Sequence, residues 1–304
     1  MTQPAVTVVI PTHNRPDLMK RAVRSVIDQD FSGEVQIIVV FDACEPVLPE
    51  VTLAANQSMV GVPNSRSRGL AGARNTGILL ADHEFVAFLD DDDYWLADKL
   101  RSQIDTFSNE PQALLVGTAM RVSDGVTSHT RLLPGTTVTH AQLLANRLPA
   151  LHSSSFLFRR DALLGPIGLI DENLPRSYGE DYDILLRAAA IEPIRVVNSA
   201  LVDVSWGGQS HFFGQWALYA EALQYLLRKH PGFATRRRAI GRIEAQVAFA
   251  LAASGDEAGA QTWVRRSLSH DPRQVKAMLA LAVSLRLVRA SSVTRVANRL
   301  GRGI

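Results

Sequence analysis

Four consecutive aspartates occupy positions 90–93 and directly follow the mostly apolar run 84–89. Carboxylates this close together repel one another, so at the end of a buried strand they are costly unless a cation neutralises them. Hard oxygen ligands of this kind favour Mg²⁺ or Mn²⁺. A solvated acidic loop is the alternative, but the apolar run before the aspartates and Tyr94 and Trp95 after them argue against it. The segment therefore predicts a divalent metal site.

Other acidic or phosphate-binding motifs can be tested on the same residues. An EF-hand loop would need Asp or Asn in place of Tyr94 and Gly in place of Trp95, so that motif is absent. Neither a P-loop string nor the glycine fingerprint of dinucleotide-binding folds occurs. A Mg²⁺-dependent phosphohydrolase, with one aspartate as the nucleophile, remains an alternative.

Alternating strands and helices would bring the aspartates to one edge of a sheet. The runs at 6–10 and 35–41 are almost entirely apolar or β-branched, as expected of strands buried on both faces of a parallel sheet. The alternation predicts a doubly wound α/β sheet, whose ligands bind beyond the carboxyl ends of the strands. The pattern predicts strands over 6–10, 35–41 and 84–89 and helices over 17–30, 70–81 and 97–107.

Five motifs in the first two thirds of the chain resemble, in their order and spacing, those of glycosyltransferase family 2. The motifs are Val9-Ile10-Pro11-Thr12-His13-Asn14-Arg15, Val39-Val40-Phe41-Asp42, Gly72-Ala73-Arg74-Asn75-Thr76-Gly77, Phe88-Leu89-Asp90-Asp91-Asp92-Asp93 and Gly179-Glu180-Asp181-Tyr182-Asp183. The resemblance covers roughly residues 5–213. It implies a GT-A fold, which is a Rossmann-like, doubly wound mixed sheet. It also implies transfer of a sugar from a nucleotide-sugar to an acceptor hydroxyl with inversion. An inactive relative that binds glycan or nucleotide remains an alternative.

The resemblance implies a role for polar residues at the carboxyl edge of the sheet. Thr12 and Asp42 would contact the base and the ribose, and Arg74 would brace the acidic cluster or the diphosphate. Asp92 would ligate Mn²⁺ or Mg²⁺ directly, and His211 is a further candidate ligand of the metal. The implied nucleotide-sugar-binding residues are Pro11, Thr12, Asn14, Arg15, Asp42, Arg74, Asp90 and Asp91, and the implied metal ligands are Asp92, Asp90 and His211.

Inversion by direct displacement also requires a carboxylate that takes the proton of the acceptor hydroxyl. The late acidic motif of the family implies that Asp181 is this catalytic base. Glu180 beside it would orient the acceptor or share the role, and the sequence does not separate the two. Both carboxylates would also favour the N-terminus of a helix running to Ala190, and this structural role is compatible with catalysis.

The chain of 304 residues has room for one large α/β domain, expected over 1–214, and a helical C-terminal region over 215–304. The first part carries 17 basic and 25 acidic side chains, hence −8, and the second carries 15 and 5, hence +10. The basic region suits an anionic membrane surface, and because no nucleic-acid-binding motif occurs we expect no nucleic-acid partner. Breaks at Pro231-Gly232, Ser254-Gly255 and Asp271-Pro272 predict three or four helices there.

The sequence predicts neither a secreted nor a membrane-spanning protein. Its N-terminus lacks a basic run followed by an apolar stretch, and no run of about 18 apolar residues occurs. The single cysteine, Cys44, excludes an intramolecular disulfide. We therefore expect a cytoplasmic protein, peripheral at the cytoplasmic face of the membrane. Its expected substrates are a UDP-sugar and a glycan or lipid-linked acceptor in cell-surface polysaccharide synthesis, and a homo-oligomer remains open.

Overall fold

The computed structural model of the protein describes residues 4–123, 127–205 and 214–299, which divide into two compact units. The boundary predicted after Gly214 adjoins residues 206–213, which lie outside the described part of the chain, so it stays a prediction. The first unit lies within Met1–Leu143, Arg147–Glu172 and Glu180–Gly208, and the second within Leu144–Asn146, Asn173–Gly179 and Gln209–Ile304.

A mixed sheet, with ten strands among the described residues, forms the centre of the first unit. The strands are β1 (Val6–Thr12), β2 (Val35–Phe41), β3 (Gln57–Pro63), β4 (Phe85–Phe88), β5 (Tyr94–Trp95), β6 (Leu115–Ser123), β7 (Ser128–Arg131), β8 (Thr137–Val138), β9 (Leu157–Arg159) and β10 (Ile194–Ser205). Their order is β3-β2-β1-β4-β9-β6-β10-β5, with β7 beside β6 and β8 beside β10. This arrangement confirms the predicted doubly wound mixed sheet.

The chain reverses its winding direction at β1. Val6 pairs with Val35 of β2 on one side and with Phe85 of β4 on the other, both in parallel. β1 and β4 are completely buried, and β2 nearly so, because their side chains are apolar or β-branched on both faces. In such a sheet the crevice at the reversal is the ordinary place for a ligand. Here that crevice lies between Thr12, which ends β1, and the aspartates that follow β4.

Six helices accompany the sheet within the described residues: α1 (Pro16–Ile27), α2 (Leu70–Leu80), α3 (Lys99–Asn109), α4 (His140–Ala145), α5 (Arg160–Leu164) and α6 (Glu180–Ile191). The first turn of α1 contains Pro16, whose fixed φ suits that position. α2 packs very closely on β1, and a Cβ atom at Gly77 would lie 2.3 Å from Val9 Cγ1. Only glycine permits this approach, which buries residues 71–78 of α2.

The second unit is helical and contains α7 (Trp216–Lys229), α8 (Arg237–Ser254), α9 (Glu257–His270), α10 (Val275–Ser284) and α11 (Ala290–Arg299). α8 ends at Gly255 with φ 93°, as the predicted Ser254-Gly255 break requires. These five described helices exceed the three or four predicted from the sequence. The additional break is the segment 285–289, where Arg286 has φ 60° without a glycine or proline to signal the turn.

The core of the second unit is built from small and medium apolar side chains of α8, α9 and α10. Phe249 is its largest buried member, and Trp216 packs edge-on against it at 5.8 Å between ring centroids. Among the described residues, none of the helices combines the length and apolar character that crossing a bilayer requires.

Candidate active site

The loop after β1 is tied to the acidic segment after β4. Thr12 Oγ1 donates a hydrogen bond of 2.8 Å to Asp91 Oδ2, and Arg15 Nη1 lies 3.1 Å from both Asp91 Oδ1 and Asp92 Oδ2. Burial raises the pKa of Asp91 despite the hydrogen bond from Thr12 and the charge of Arg15. Two of the four aspartates are therefore held by residues of the first motif.

Asp90 is part of a buried ion-pair network around Arg74. The Arg74 side chain is 0% exposed, and its Nη2 donates to Asp90 Oδ1 at 2.5 Å while its Nη1 donates to Glu180 Oε1. Burial alone would raise the pKa of Asp90, but Arg74 and His152 bring it below its ordinary value. Burial raises the pKa of Glu180 to about 7 against the opposing charge of Arg74. Arg74 thus connects the acidic segment to the start of α6.

Asp93 is almost completely buried and lies beside the segment 152–154. Its Oδ2 accepts a 2.5 Å hydrogen bond from Ser154 Oγ and lies 3.3 Å from His152 Nδ1. The backbone N–H of Ser205 donates to its other oxygen at 3.3 Å. Burial raises the pKa of Asp93 to about 7, although the neighbouring His152 opposes the shift.

A divalent cation has a suitable donor set at this edge of the sheet. Asp90, Asp93 and His152 can each direct one ligand atom to a common point, since those atoms lie within 4.8 Å of one another. Two carboxylate oxygens, completed by water or phosphate oxygens, suit Mg²⁺ or Mn²⁺. Asp92 is the most exposed of the four aspartates, at 39%, and its Oδ1 has no partner among the described residues. The predicted ligand His211 lies outside the described residues, and the role of Asp92 stays a prediction.

Asp42, at the end of β2, is fixed by the loop that follows β3. Asn64 Nδ2 donates to Asp42 Oδ1 at 2.8 Å, and the backbone N–H of Gly69 donates to Oδ2 at 3.0 Å. These bonds hold the carboxylate at the carboxyl edge of the sheet. Of the other residues predicted to bind the nucleotide, Pro11 is buried in β1, whereas Asn14 is exposed and has φ 53°.

Asp181 lies in the first turn of α6 and forms an ion pair with Arg147. Arg147 Nη2 lies 2.8 Å from Oδ1 and 2.6 Å from Oδ2 of Asp181. Burial by itself raises the pKa of Asp181, but Arg147 and His152 lower it below its ordinary value. Asp181 is therefore ionised at neutral pH, as a proton acceptor must be. The other predicted candidate, Glu180, is occupied by Arg74 instead.

The family model that describes glycosyl transferase family 2 matches residues 7–164, more than half of the chain. The chain belongs to this family. The prediction of a family 2 glycosyltransferase is thereby confirmed. Every motif of the predicted donor site lies within the matched residues, whereas Glu180 and Asp181 follow them.

Several bacterial proteins are similar to the chain. A UDP-Glc:alpha-D-GlcNAc-diphosphoundecaprenol beta-1,3-glucosyltransferase, WfgD of Escherichia coli, is 30% identical over 33% of this chain and 39% of that protein. The alignment thus spans less than half of that relative. The succinoglycan biosynthesis protein ExoO of Rhizobium meliloti is 28% identical over 97% of this chain and 94% of that protein.

Two solved glycosyltransferase structures share the fold. Staphylococcus aureus TarS 1-349, in complex with UDP-GlcNAc, superposes with a TM-score of 0.61 at 16% identity, covering 98% of this chain and 92% of TarS 1-349. The mannosyltransferase PcManGT of Pyrobaculum calidifontis, in complex with GDP-Man and Mn²⁺, gives a TM-score of 0.55 at 16% identity, covering 99% and 87%. The likeness confirms the predicted GT-A fold with C-terminal helices.

Several residues of the site were not among the predicted catalytic, nucleotide-sugar-binding or metal-binding residues. Asp93 completes the predicted acidic run, so its type and position already pointed to it. His152 and Ser154 reach the aspartates from a segment 61 residues further along the chain, and Arg147 reaches Asp181 across 34 residues. No local pattern marks these partners, because their closeness depends on the folding of the intervening chain.

Proposed function

We propose that this family 2 glycosyltransferase moves a sugar from a nucleoside-diphosphate sugar to an acceptor hydroxyl with inversion at the anomeric carbon. The observation that carries the proposal is the Asp90–Arg74–Glu180 network. It joins the acidic segment, where a leaving diphosphate would be bound, to the turn of α6 that carries Asp181. His152 lies close enough to influence the pKa values of both Asp90 and Asp181, which supports a single site.

The proposed donor is a UDP-sugar. Two similar proteins are associated with a uridine nucleotide, since WfgD is named for UDP-Glc and TarS 1-349 is in complex with UDP-GlcNAc, whereas PcManGT is in complex with GDP-Man. In this chain Asp42 would accept from the uracil or the ribose with the lone pairs that Asn64 and Gly69 leave unused. Thr12 would position the loop beneath the nucleotide through its hydrogen bond to Asp91.

The proposed cofactor is Mn²⁺ or Mg²⁺, held by Asp92 and by the cluster of Asp90, Asp93 and His152. When bound, the ion would neutralise charge on the departing diphosphate, which is worth several kcal/mol of transition-state stabilisation. Asp181 would accept the proton of the acceptor hydroxyl while the acceptor oxygen bonds to the anomeric carbon and the carbon–phosphate-oxygen bond breaks. Arg147 would keep Asp181 ionised until the acceptor arrives.

The proposed acceptor is a lipid-linked glycan, and the proposed pathway class is the synthesis of cell-surface polysaccharide. Relatives named for such substrates, including diphosphoundecaprenol-linked sugars for WfgD, support this assignment. Such acceptors carry a long apolar chain, so we place the protein at the cytoplasmic face of the membrane as a peripheral protein. The basic C-terminal region, +10 over residues 215–304, would supply the positive charge that this position requires.

Donor use is tested by measuring thermal unfolding of the purified chain with a panel of nucleoside diphosphates, with and without Mn²⁺. We expect UDP with Mn²⁺ to stabilise the folded chain most. A ligand present at 100 times its Kd adds about 2.7 kcal/mol to the free energy of unfolding. EDTA should remove this effect. Stabilisation by GDP or dTDP but not by UDP would show that the donor carries that nucleotide in place of uridine. No stabilisation by any nucleotide would refute the proposed function.

The roles of individual residues are tested by UDP release and sugar transfer. Asp181→Asn should retain UDP-dependent stabilisation but lose transfer, whereas Asp92→Ala should lose both. Comparison of Asp92→Ala with His152→Ala shows whether both residues hold the ion, since replacing a true ligand weakens Mn²⁺ binding strongly. Asp105 is an exposed carboxylate on α3, so the Asp105→Asn variant serves as the matched control and should retain full activity. Full transfer by Asp181→Asn would exclude Asp181 as the base.

A further inference from the structure

The outer side of α10 and the segment that follows it expose large aliphatic side chains. Val275, Met278 and Leu279 recur at helical spacing, so they lie on one side of α10, opposite the buried Ala277 and Ala280. The segment 285–289, which directly follows α10, is also exposed throughout. We name this surface the α10 face; its aliphatic members and exposed fractions are Val275 66%, Met278 50%, Leu279 37%, Leu285 52%, Leu287 73% and Val288 41%.

Exposed aliphatic side chains are common singly, but a contiguous group of this size usually marks a binding surface. The segment 285–289 reads Leu-Arg-Leu-Val-Arg and contains no polar uncharged residue. Its backbone turns at Arg286, whose φ of 60° is unusual for a residue with a side chain. The turn presents Leu287 and Val288 outward on a short loop rather than within a helix.

The same stretch of the chain carries exposed arginines. The sequence contains no acidic residue after Asp271, whereas arginines occur at positions 273, 286, 289 and 295. All four are exposed, and Arg286 is paired with Glu257 at 2.7 Å. Arg289 flanks the loop on one side, and Arg295 lies on α11 beside Val296, another exposed aliphatic residue. Aliphatic tips with arginines beside them are the combination that anionic bilayers bind.

We propose that the α10 face docks onto an anionic lipid bilayer, with Leu287 and Val288 inserted below the headgroups and Arg273, Arg289 and Arg295 against the lipid phosphates. A second copy of the chain fits this surface less well, because a self-complementary contact would bring like-charged arginines together. Nucleic acid would use the arginines but not the aliphatic loop. The inference rests on the proposed peripheral location, for which it names the lipid-binding surface, and it does not depend on the proposed sugar transfer.

The test is sedimentation of the full chain with vesicles of phosphatidylcholine, with and without phosphatidylglycerol, in the absence of donor and metal. We expect binding only to the vesicles that contain phosphatidylglycerol, weakened by added salt because exposed charges are screened. Leu287→Asp with Val288→Asp should weaken binding by at least about tenfold, the loss expected for one buried aliphatic side chain. Arg289→Ser and Arg295→Ser should each weaken it about fivefold.

Matched controls separate the α10 face from general effects. Val47→Asp with Leu132→Asp changes two aliphatic residues of similar exposure in the first unit, and Arg24→Ser removes an exposed charge there. Both should bind like the unchanged chain. Equal binding by the Leu287→Asp, Val288→Asp variant would overturn the proposal, and so would equal binding to pure phosphatidylcholine. If this variant instead loses self-association in ultracentrifugation, a second copy occupies the face. Retained UDP-dependent stabilisation in all variants keeps this outcome distinct from failure of the sugar-transfer proposal.

Discussion

At the scale of single residues, Arg74 combines complete burial with a permanent positive charge. The structure permits this because Asp90 and Glu180 each accept a hydrogen bond from it, and because its guanidinium lies 5.3 Å from the centroid of the Phe88 ring. A buried cation with two carboxylates is favourable only while all partners remain in place. Glu180 Oε2 is already buried without a partner among the described residues, so the network tolerates little further loss.

Replacing Arg74 should therefore destabilise the fold strongly. We expect Arg74→Met to lower the free energy of unfolding by about 3–5 kcal/mol, since it leaves buried carboxylates uncompensated. The destabilisation should be larger above pH 7. In the unchanged protein Glu180, whose pKa is about 7, is then mostly ionised and paired with Arg74, whereas in Arg74→Met the ionised carboxylate lacks this partner. Urea unfolding at several pH values measures the effect.

The double variant Arg74→Met with Glu180→Gln should recover part of the stability, because one of the uncompensated carboxylates is then neutral. Arg24→Met, on the exposed side of α1, is the matched control and should stay within about 0.5 kcal/mol of the unchanged protein. A loss below about 1 kcal/mol in Arg74→Met would contradict the view that this network is a buried ion cluster.

Arg147 should set the pH range in which Asp181 can act as a base. Because Arg147 lowers the pKa of Asp181, its removal should raise that pKa, and the base is active only when ionised. The acidic limb of kcat/KM against pH should therefore move to higher pH in Arg147→Gln. Activity should recover at alkaline pH, and Arg147→Lys should restore part of the original profile. A uniform loss of activity with an unchanged acidic limb would assign Arg147 another role.

At the scale of elements, α3 begins with a buried lysine. Lys99 is completely buried at the first position of the helix, where the positive end of the helix dipole also disfavours its charge. Its Nζ lies 3.7 Å from the centroid of the Trp95 ring and donates to Gln103 Oε1 at 2.8 Å. Gln103 in turn donates to the backbone carbonyls of Val116 and Ser155. Burial lowers the pKa of Lys99 well below its ordinary value.

The protein should become more stable when Lys99 is replaced by an uncharged residue. The unfolded chain binds a proton at Lys99 more readily than the folded chain, so the contribution of Lys99 to stability rises with pH until it approaches the ordinary lysine pKa. We expect Lys99→Met, which keeps the length of the side chain, to stabilise the protein by roughly 1–3 kcal/mol at pH 7. The gain should shrink as pH approaches 10. Destabilisation at pH 7 would show that the contact with Trp95 outweighs the desolvation.

At the scale of the whole molecule, charge is distributed unequally along the chain. The net charge of +2 results from −8 over residues 1–214 and +10 over residues 215–304. A concentrated basic region binds polyanions more strongly than the net charge indicates. We therefore expect the protein to be retained on a cation exchanger at pH 7 despite its small net charge.

The exchanger experiment can locate the basic region. Arg289→Glu with Arg295→Glu and Arg21→Glu with Arg24→Glu change the net charge equally, and all four positions are exposed. The first variant should elute at clearly lower salt than the second. Identical elution would mean that retention follows net charge alone and that the basic residues of the second unit do not act together.

The sequence by itself determined the features that depend on neighbouring residues. The apolar runs that became β1, β2 and β4 predicted strands buried on both faces of a sheet, and the polar residues after them were expected at its carboxyl edge. The motifs that resemble glycosyltransferase family 2 contain these polar residues. The break at 285–289 was missed, because it contains no glycine or proline to indicate it.

Only the tertiary structure decided which charges are paired. Arg74 meets Glu180 across 106 residues, Arg147 meets Asp181 across 34, and Ser154 meets Asp93 across 61. It also placed β9 antiparallel between β4 and β6, which brings His152 to the acidic segment. The physical reason is that an ion pair needs a few ångströms of accuracy in three dimensions. Residue type and spacing along the chain specify that a carboxylate needs a partner, but only the packed elements determine which cation comes within reach.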